Sequence, residues 1–411
     1  MQTELAPEFK NTPEGREAEA ILRKCVHCGF CTATCPTYQL LGDELDGPRG
    51  RIYLIKQVLE GKAPTRSTQL HLDRCLTCRN CESTCPSGVQ YGHLVDIGRK
   101  IVEDKVPRAP LDEALRWTLR EGLNSPLFAP AMKLGQSVRG LLPAKLKAKV
   151  PEPRPAGAWP SRTHARKMLM LAGCVQPAMS PNINSATARV LDAAGIQVLV
   201  ASKAGCCGAV KFHLNDHDGG RAQMRANIDA WWPQVERNEV EAIVMNASGC
   251  GVTVREYGHM LKDDPAYAEK AARISAITRD LSELLPDIAP TLKPRVRPPA
   301  GLVAYHPPCT LQHGQQLRGG VEKHLRALGF DVQVAQSESH LCCGSAGTYS
   351  VLQAELSYLL RDRKLGHLNQ LQPTTIVSAN IGCITHLQSG SEVPVRHWVE
   401  LLDEALAPAA P

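Results

Sequence analysis

The sequence predicts a mixed fold, in which a cysteine-rich α-helical domain at the N-terminus precedes an α/β domain made of two similar halves with pseudo-twofold symmetry. Three observations predict it. One four-cysteine pattern occurs twice in the first quarter of the chain, and the apolar residues around it have the spacing of amphipathic helices. A βαβαβ pattern with four further cysteines occurs twice in the C-terminal half. The 411 residues suffice for two or three domains.

Each copy of the N-terminal pattern reads Cys-x2-Cys-x2-Cys-x3-Cys-Pro. This spacing is typical of two-cluster ferredoxins, in which three cysteines of one run and the fourth cysteine of the other run hold each [4Fe–4S] cluster. The sequence therefore predicts two such clusters. The ligands expected for the first are Cys25, Cys28, Cys31 and Cys85, and those for the second are Cys75, Cys78, Cys81 and Cys35.

The residues beside these cysteines suit tight loops around a cluster. Gly29 permits a backbone turn that a side chain would hinder, and Pro36 and Pro86 turn the chain away after each run. Two alternatives fit less well. A zinc site usually has two separated cysteine pairs. A disulfide framework is typical of small secreted domains, whereas this chain is long and shows no signal peptide.

Composition argues against several classes of protein. The net charge of +6 is too mild to indicate nucleic-acid binding by itself. The sequence has no run of 18 apolar residues, so it predicts no membrane-spanning helix and leaves only a peripheral association with a membrane. Sixteen cysteines in patterned groups, without an export signal, predict thiolates that metal holds reduced in the cytoplasm.

Helices are expected around both cysteine runs. Apolar spacing predicts them at 14–24, 69–74 and 92–104, and Pro48 can begin another that includes 52–59. This arrangement resembles the α-helical ferredoxin domain of respiratory iron–sulfur subunits rather than the small βαβ ferredoxin. The predicted domains are a ferredoxin domain at 1–125, a basic Pro-rich linker at 126–166, and two repeats at 167–290 and 291–411.

The linker has an unusual composition. Residues 133–167 contain nine Lys or Arg, one Glu and five Pro. A solvated linker explains this composition, and it is the interpretation that such charge runs favour. The alternative is that these cations rest on anionic lipid headgroups or on an acidic partner surface.

The C-terminal repeat pairs cysteines with short apolar strands. Strands are expected at 167–172, 196–201 and 242–246 in the first copy and at 302–305, 331–335 and 375–378 in the second, with helices at 184–194 and 219–235. The cysteines come just after strands, where α/β folds place ligand sites. In the first copy they are Cys174, Cys206, Cys207 and Cys250, and in the second Cys309, Cys342, Cys343 and Cys383.

This repeat resembles the cysteine-rich CCG domain of heterodisulfide reductase subunits and related oxidoreductases. In its fullest form the motif ends in Cys-x-x-Cys and binds an unusual iron–sulfur cluster, but here Thr253 and His386 replace the final cysteine. Four thiolates per repeat suffice for one more cluster in either repeat, and a structural role for them is the alternative. His306 and His386 lie beside these cysteines; a hydrogen-bonded structural role is expected for both, and metal ligation is the less favoured alternative.

Motifs for chemistry on a substrate are weak. The stretch from Gly344 to Thr348 is glycine-rich but lacks the Lys-Ser/Thr of a phosphate loop, and no GxGxxG follows a strand. The sequence shows no convincing catalytic triad or carboxylate pair. It therefore predicts no catalytic residue and no tightly bound flavin or nicotinamide on this chain.

Taken over nearly its whole length, the chain resembles the family of iron–sulfur subunits of glycolate oxidase, also called glycolate dehydrogenase. The stretches CVHCGFCTATCPTYQLLGDELDGPRGRIYLIKQVLEG, LDRCLTCRNCESTCPSGVQY and SHLCCGSAGTY carry the resemblance. It implies that FAD on a separate subunit oxidises glycolate to glyoxylate. Electrons would then pass through this chain toward a quinone pool at the cytoplasmic side of the inner membrane. No nucleic-acid partner is expected.

Two other functions remain open at this point. Subunits for lactate and glycerol-3-phosphate oxidation share the same architecture, so the general plan does not choose the substrate. The likeness to heterodisulfide reductase leaves a thiol–disulfide oxidoreductase acting at the CCG cysteines as the runner-up.

Overall fold

The N-terminal part is a bundle of helices wrapped around the two cysteine runs. The computed structural model describes residues 1–147 and 149–407. The helices of this part are α1 (Pro7–Lys10), α2 (Pro13–Lys24), α3 (Phe30–Ala33), α4 (Pro36–Leu41), α5 (Pro48–Leu59), α6 (Arg66–Asp73), α7 (Asn80–Thr84) and α8 (Tyr91–Lys105).

Local sequence explains where the main helices of this bundle begin. The Thr12 side chain accepts a hydrogen bond from the Gly15 N–H and caps α2, while Pro48 occupies the first turn of α5. Their apolar faces meet α8 in a dry core that includes Leu22, Ile55 and Leu94, each at most 1% exposed. The four helices expected around the cysteine runs are thus confirmed, and α5 begins at Pro48 as expected, while the ends of the other three agree within three residues.

A helical arm follows the bundle. It consists of α9 (Pro110–Gly122), α10 (Phe128–Ser137) and the short α11 (Ala144–Lys147). All residues of α9 and α10 are described, and none of them is buried. Much of the segment expected to be a linker is therefore helical, whereas its stretch 149–165 contains no helix or strand.

The C-terminal part contains two four-stranded parallel sheets with the same strand order. The first has the order β2-β1-β3-β4 and the second β6-β5-β7-β8. The strands are β1 (Arg166–Met170), β2 (Ile196–Leu199), β3 (Ile243–Met245), β4 (Thr278–Asp280), β5 (Val303–Tyr305), β6 (Val332–Val334), β7 (Thr375–Ser378) and β8 (Val395–His397). The six expected strands are confirmed, and each sheet gains a fourth strand, β4 or β8.

Helices cover both sheets and join them. The first sheet carries α12 (Gln176–Met179), α13 (Pro181–Ala193), α14 (Ala209–His213), α15 (His217–Glu236), α16 (Ser248–Arg255), α17 (Tyr257–Met260), α18 (Ala268–Ile277) and α19 (Leu285–Leu292). The second carries α20 (Gly320–Ala327), α21 (Tyr349–Leu352), α22 (Ala354–Asn369), α23 (Ile381–Gln388) and α24 (Trp398–Ala405).

One apolar core runs through both sheets. Leu191 on α13 and Leu402 on α24 belong to the same buried cluster, and Arg189 binds Asp403 at 2.6 Å across the same helix pair. The carboxyl ends of the strands, where the CCG cysteines lie, are therefore held rigidly. Within residues 1–147 and 149–407, no helix has the length and the apolar character needed to cross a membrane.

Candidate metal centres

The first candidate centre, called site 1, lies in a cavity that opens to solvent. Three cysteines of the first run and two of the second, Cys81 and Cys85, line it. The structure thus brings together the first expected set, Cys25, Cys28, Cys31 and Cys85.

The second candidate centre, called site 2, lies in a neighbouring cavity. Its lining combines three cysteines of the second run with the last cysteine of the first. This is the second expected set, Cys75, Cys78, Cys81 and Cys35. All sixteen cysteines of the chain are free thiols, so none is withdrawn from these groups by a disulfide.

Both loops turn through the left-handed region of the backbone. Gly29 has φ +87°, and a Cβ there would meet the Arg49 guanidinium at 2.7 Å. Arg79, at the matching place in the second run, has φ +59°. The turn that the sequence assigned to a glycine is therefore made by an arginine in the second loop, where Arg79 forms an ion pair of 2.5 Å with Glu256.

Buried cations distinguish site 2 from site 1. Arg51 is 1% exposed and donates to the carbonyl oxygen of His71 at 2.7 Å, while Arg99 donates to the carbonyl oxygen of Cys75 at 2.5 Å. Burial alone would raise the pKa of Cys75, but these two guanidinium groups outweigh it and lower that pKa. At site 1, burial raises the pKa of Cys31 to about 11, and the neighbouring Cys25 adds to the rise.

Sequence reasoning missed both arginines. Arg51 stands among the apolar residues of α5, and an arginine on the buried face of a helix is unusual unless it is paired. That position was the available signal, and the structure shows that the side chain reaches the wall of the site 2 cavity.

The third group of cysteines, called the repeat-1 site, lies after the strands of the first sheet. It comprises Cys174, Cys206, Cys207 and Cys250, of which the first and last are partly exposed. Hydrogen bonds from thiol to thiol raise the pKa values of Cys174 and Cys207 and lower that of Cys206 to about 3. The Tyr257 hydroxyl fixes this loop by donating to the Cys207 carbonyl oxygen at 2.8 Å.

The fourth group, called the repeat-2 site, has all four of its cysteines buried: Cys309, Cys342, Cys343 and Cys383. The sulfur atoms of Cys309 and Cys342 are 3.8 Å apart. The backbone N–H of Gly344 points at the Cys342 sulfur at 3.4 Å, and the Asn380 amide points at the Cys383 sulfur at 3.8 Å. These donors favour thiolates.

The two histidines that accompany the cysteines have different environments. His386 is held by Ser357, whose hydroxyl and carbonyl oxygens lie 3.1 and 3.2 Å from its Nε2, so its expected structural role is confirmed. His306 is 1% exposed, and its Nε2 has no hydrogen-bond partner among the described residues. Burial lowers the pKa of His306 well below its ordinary value, so its ring is neutral.

A buried lysine accompanies the repeat-2 site. Lys364 is 2% exposed and donates to the carbonyl oxygen of Glu338. Burial lowers the pKa of Lys364 to about 8, although the thiols of Cys343 and Cys342 act in the opposite direction. No feature of the sequence distinguishes Lys364, because α22 also carries the charged residues Glu355 and Asp362, which are exposed.

Site 2 is packed directly against the repeat-2 site. Leu76 of the second run shares an apolar cluster with Cys309, Cys342 and Tyr349, and Cys78 packs on that cluster. The contact is reinforced outside the cluster, where Ser83 and His313 are 3.0 Å apart.

Site 1 faces the other way. Cys28 is exposed, and Val26 and Phe30 beside it are 68% and 60% exposed. An apolar surface of this kind next to a candidate redox centre is a common feature of protein interaction sites.

Comparisons with known proteins agree with this geometry. The family model described as 4Fe-4S dicluster domain matches residues 21–89, and the model described as cysteine-rich domain matches residues 168–255 and 303–388.

The chain is 56% identical to the glycolate oxidase iron-sulfur subunit of Escherichia coli (strain K12), over 99% of both chains. It is 29% identical to the probable glycolate oxidase iron-sulfur subunit of Bacillus subtilis (strain 168), over 97% of both. It is also 26% identical to lactate utilization protein A of Geobacillus thermodenitrificans, over 58% of this chain and 98% of that protein.

Proposed function

We propose that this chain, which belongs to the family of glycolate oxidase iron–sulfur subunits, carries electrons one at a time away from a partner subunit that oxidises glycolate to glyoxylate. The observation that carries the proposal is the meeting of cysteines from both runs in two adjacent cavities. A [4Fe–4S] cluster in each cavity would supply one-electron redox chemistry, while FAD on the partner would handle the two electrons of each glycolate.

The residues of both cavities fit a cluster. Each offers four thiol donors, which is the ligand set of a [4Fe–4S] cluster. At site 2 the Thr77 N–H and the Tyr91 hydroxyl point at the Cys75 sulfur at 3.4 and 3.6 Å, and Arg51 lies behind it. Such contacts offset the negative charge of a thiolate-bound centre and tune its potential.

The positions of the two sites support a direction through the chain. Site 1 would face the FAD subunit, which docks over Val26 and Phe30. Site 2 would pass electrons inward, because it lies against the repeat-2 site. The terminal acceptor in this proposal is the quinone pool.

A third iron–sulfur cluster in one of the two CCG repeats completes the proposal. Each repeat offers four cysteines at the carboxyl ends of its strands. The matching strand orders of the two sheets support a pseudo-twofold relation between 167–290 and 291–411, after a ferredoxin domain at 1–125 and the segment 126–166.

The helical arm supports peripheral association with the cytoplasmic face of the inner membrane. Its exposed apolar side chains include Leu111 at 87%, Leu127 at 72% and Leu134 at 65% exposed. Between Glu121 and Glu152 the chain has five Lys or Arg and no acidic residue. Apolar side chains with basic neighbours fit the surface of an anionic bilayer.

The test separates electron transfer from glycolate oxidation. Cys28→Ser and Cys78→Ser are expected to abolish oxygen consumption driven by glycolate in membranes, while the FAD subunit still reduces an artificial dye with glycolate. Full glycolate respiration in both variants would contradict the proposal. Respiration that responds to lactate and not to glycolate would reassign the substrate.

A further inference from the structure

The repeat-2 site lacks the terminal cysteine of the fullest CCG motif, and the residue that replaces it does not fill the gap. His386 occupies that place in sequence, but its ring is turned to Ser357 at 3.1 Å. Any donor beyond the four thiols would therefore come from elsewhere in the fold.

His306 offers such a donor. It directly follows β5, the strand that pairs with both β6 and β7, so the sheet aims it at the loops that carry the cysteines. A ring nitrogen of His306 and the sulfur atoms of Cys343 and Cys383 all lie within 4.8 Å of one another. The ring is buried and its Nε2 has no hydrogen-bond partner in the described structure.

We propose that His306 ligates a thiophilic transition metal, iron or zinc, together with Cys343 and Cys383. A neutral imidazole and two thiolates are donors that both metals accept. This inference rests on the proposed third centre, which is an iron–sulfur centre if the metal is iron and is replaced by a zinc site if the metal is zinc. It assigns that centre to the second repeat and gives it a nitrogen ligand in place of the missing cysteine.

The first repeat is not built in this way. Leu171 stands where the second repeat has His306, three residues before the first cysteine, and it cannot bind a metal. Two of the cysteines there are also partly exposed, whereas all four of the second repeat are buried.

Thiol–thiol hydrogen bonds and burial together raise the pKa values of Cys309, Cys342 and Cys343, but two groups beside the repeat-2 site act in the opposite direction. Lys364 places a buried ammonium group near Cys343, and the Asn380 amide points at the Cys383 sulfur. Asn227 is the residue of the first repeat that corresponds to Lys364. The glycine of Cys-Cys-Gly lies against the carbonyl oxygen of Gly220 in the first repeat and of Ser357 in the second, and Asn227 and Lys364 each follow that residue by seven positions. Only the second repeat therefore has a positive charge at this position.

Metal analysis of the full chain, purified without oxygen, tests where the metal lies. The wild type is expected to hold either more than about eight irons per chain, or about eight irons and one zinc. The double variant Cys343→Ser/Cys383→Ser should lose only the additional metal. The matched double variant Cys207→Ser/Cys250→Ser in the first repeat should keep it. Equal loss in both variants, or no additional metal in the wild type, would overturn the assignment.

Spectroscopy of the wild type tests whether His306 is a ligand of the metal, and this test does not depend on the folding of any variant. If the metal is zinc, X-ray absorption at the zinc edge should show one nitrogen at about 2.0–2.1 Å beside sulfurs at about 2.3 Å. If it is iron, pulsed EPR of the paramagnetic state should show a ¹⁴N coupling. His306→Leu, which installs the residue of the first repeat, should remove the nitrogen signal. A sulfur-only shell at zinc, or an iron signal without ¹⁴N coupling, would refute His306 as a ligand.

These readouts are independent of the electron-transfer proposal. Loss of the additional metal with the first eight irons intact concerns the repeat-2 site alone. A wild type that lacks those eight irons would instead contradict the proposed clusters at sites 1 and 2.

Discussion

The Tyr349 hydroxyl donates a hydrogen bond of 3.2 Å to the carbonyl oxygen of Arg74, the residue before the second cysteine run. Tyr349 is at the same time part of the apolar cluster that contains Cys309 and Cys342. One side chain therefore connects the loop of site 2 to the repeat-2 site. The distance between these two centres depends on this contact, and electron transfer between them depends on that distance.

Removing the Tyr349 hydroxyl should loosen this contact without opening a cavity. Tyr349→Phe is expected to cost about 1 kcal/mol of the free energy of unfolding, the usual net value of one hydrogen bond. Hydrogen exchange should quicken at the second cysteine loop and at α21. Tyr358→Phe is the matched control, since Tyr358 is partly exposed and lies on the neighbouring helix α22. A similar change in both variants would contradict the role given to Tyr349.

The exchange of fourth ligands between the two runs can be tested by a reciprocal pair of variants. Cys85→Ser should disturb the cluster at site 1 and leave site 2 intact, whereas Cys35→Ser should do the reverse. EPR of the reduced protein should show loss of a different cluster signal in each variant, with about four irons lost in each case. If Cys35→Ser instead removed the signal that Cys28→Ser removes, each run would hold its own cluster.

Arg51 should raise the reduction potential of a cluster at site 2, because its positive charge favours the more negative, reduced state. Arg51→Met is expected to lower that potential by roughly 40–90 mV, the equivalent of about 1–2 kcal/mol for one electron. Arg51→Lys keeps the charge and should restore most of the potential. Redox titration followed by EPR measures the reduction potential of the cluster in both variants. The exposed Arg23 provides the control, and Arg23→Met should leave the potential unchanged.

The sequence predicted the ligand candidates and most of the strands, because both depend on the local pattern of residues. Cysteine spacing was enough to identify the ligand candidates, and apolar runs located six of the eight strands. The other two, β4 and β8, have only three residues each and carry Arg279 and Arg396 at their centres. No apolar run marks them, and they become strands because β3 and β7 offer them a free edge.

Contacts between distant parts of the chain were beyond the reach of the sequence. Lys364 looks like an ordinary charged helix residue, and the apolar neighbours of Arg51 show its place on the helix but not the groups that surround it. His306 was assigned a structural role, since nothing in its sequence neighbourhood reveals that its ring nitrogen lacks a partner. Such residues are found only when the fold brings the elements together.

A pH-dependent ion network joins α8 to the first repeat. His93 lies 3.3 Å from Glu256 and 3.6 Å from Glu17, stacks on His259, and also faces Arg79. Burial lowers the pKa of His93, but Glu256 outweighs burial and raises it. The stabilisation from charged His93 is therefore complete below the pKa of about 6.5 in the unfolded chain, and it is lost as the pH rises through the raised pKa of the folded protein.

Denaturant unfolding at pH 6 and pH 9 should show this loss of stability in the wild type and a smaller loss in His93→Gln. An equal loss in His93→Gln would exclude His93 as its source, and His324→Gln on α20 serves as control.

The helical arm should bind an anionic membrane through its exposed leucines. Full burial of one leucine side chain contributes about 1.5–3 kcal/mol, so replacing Leu111, Leu127 and Leu134 with Gln should weaken binding to vesicles by well over tenfold. Co-flotation with vesicles that contain phosphatidylglycerol measures this binding. Neutral vesicles should bind the wild type less, because the arm is basic.

Leu359→Gln is the control, since Leu359 is 51% exposed but lies on α22, outside the arm. Undiminished flotation of the triple variant would show that the arm does not contact lipid, and its apolar surface would then be assigned to the partner subunit.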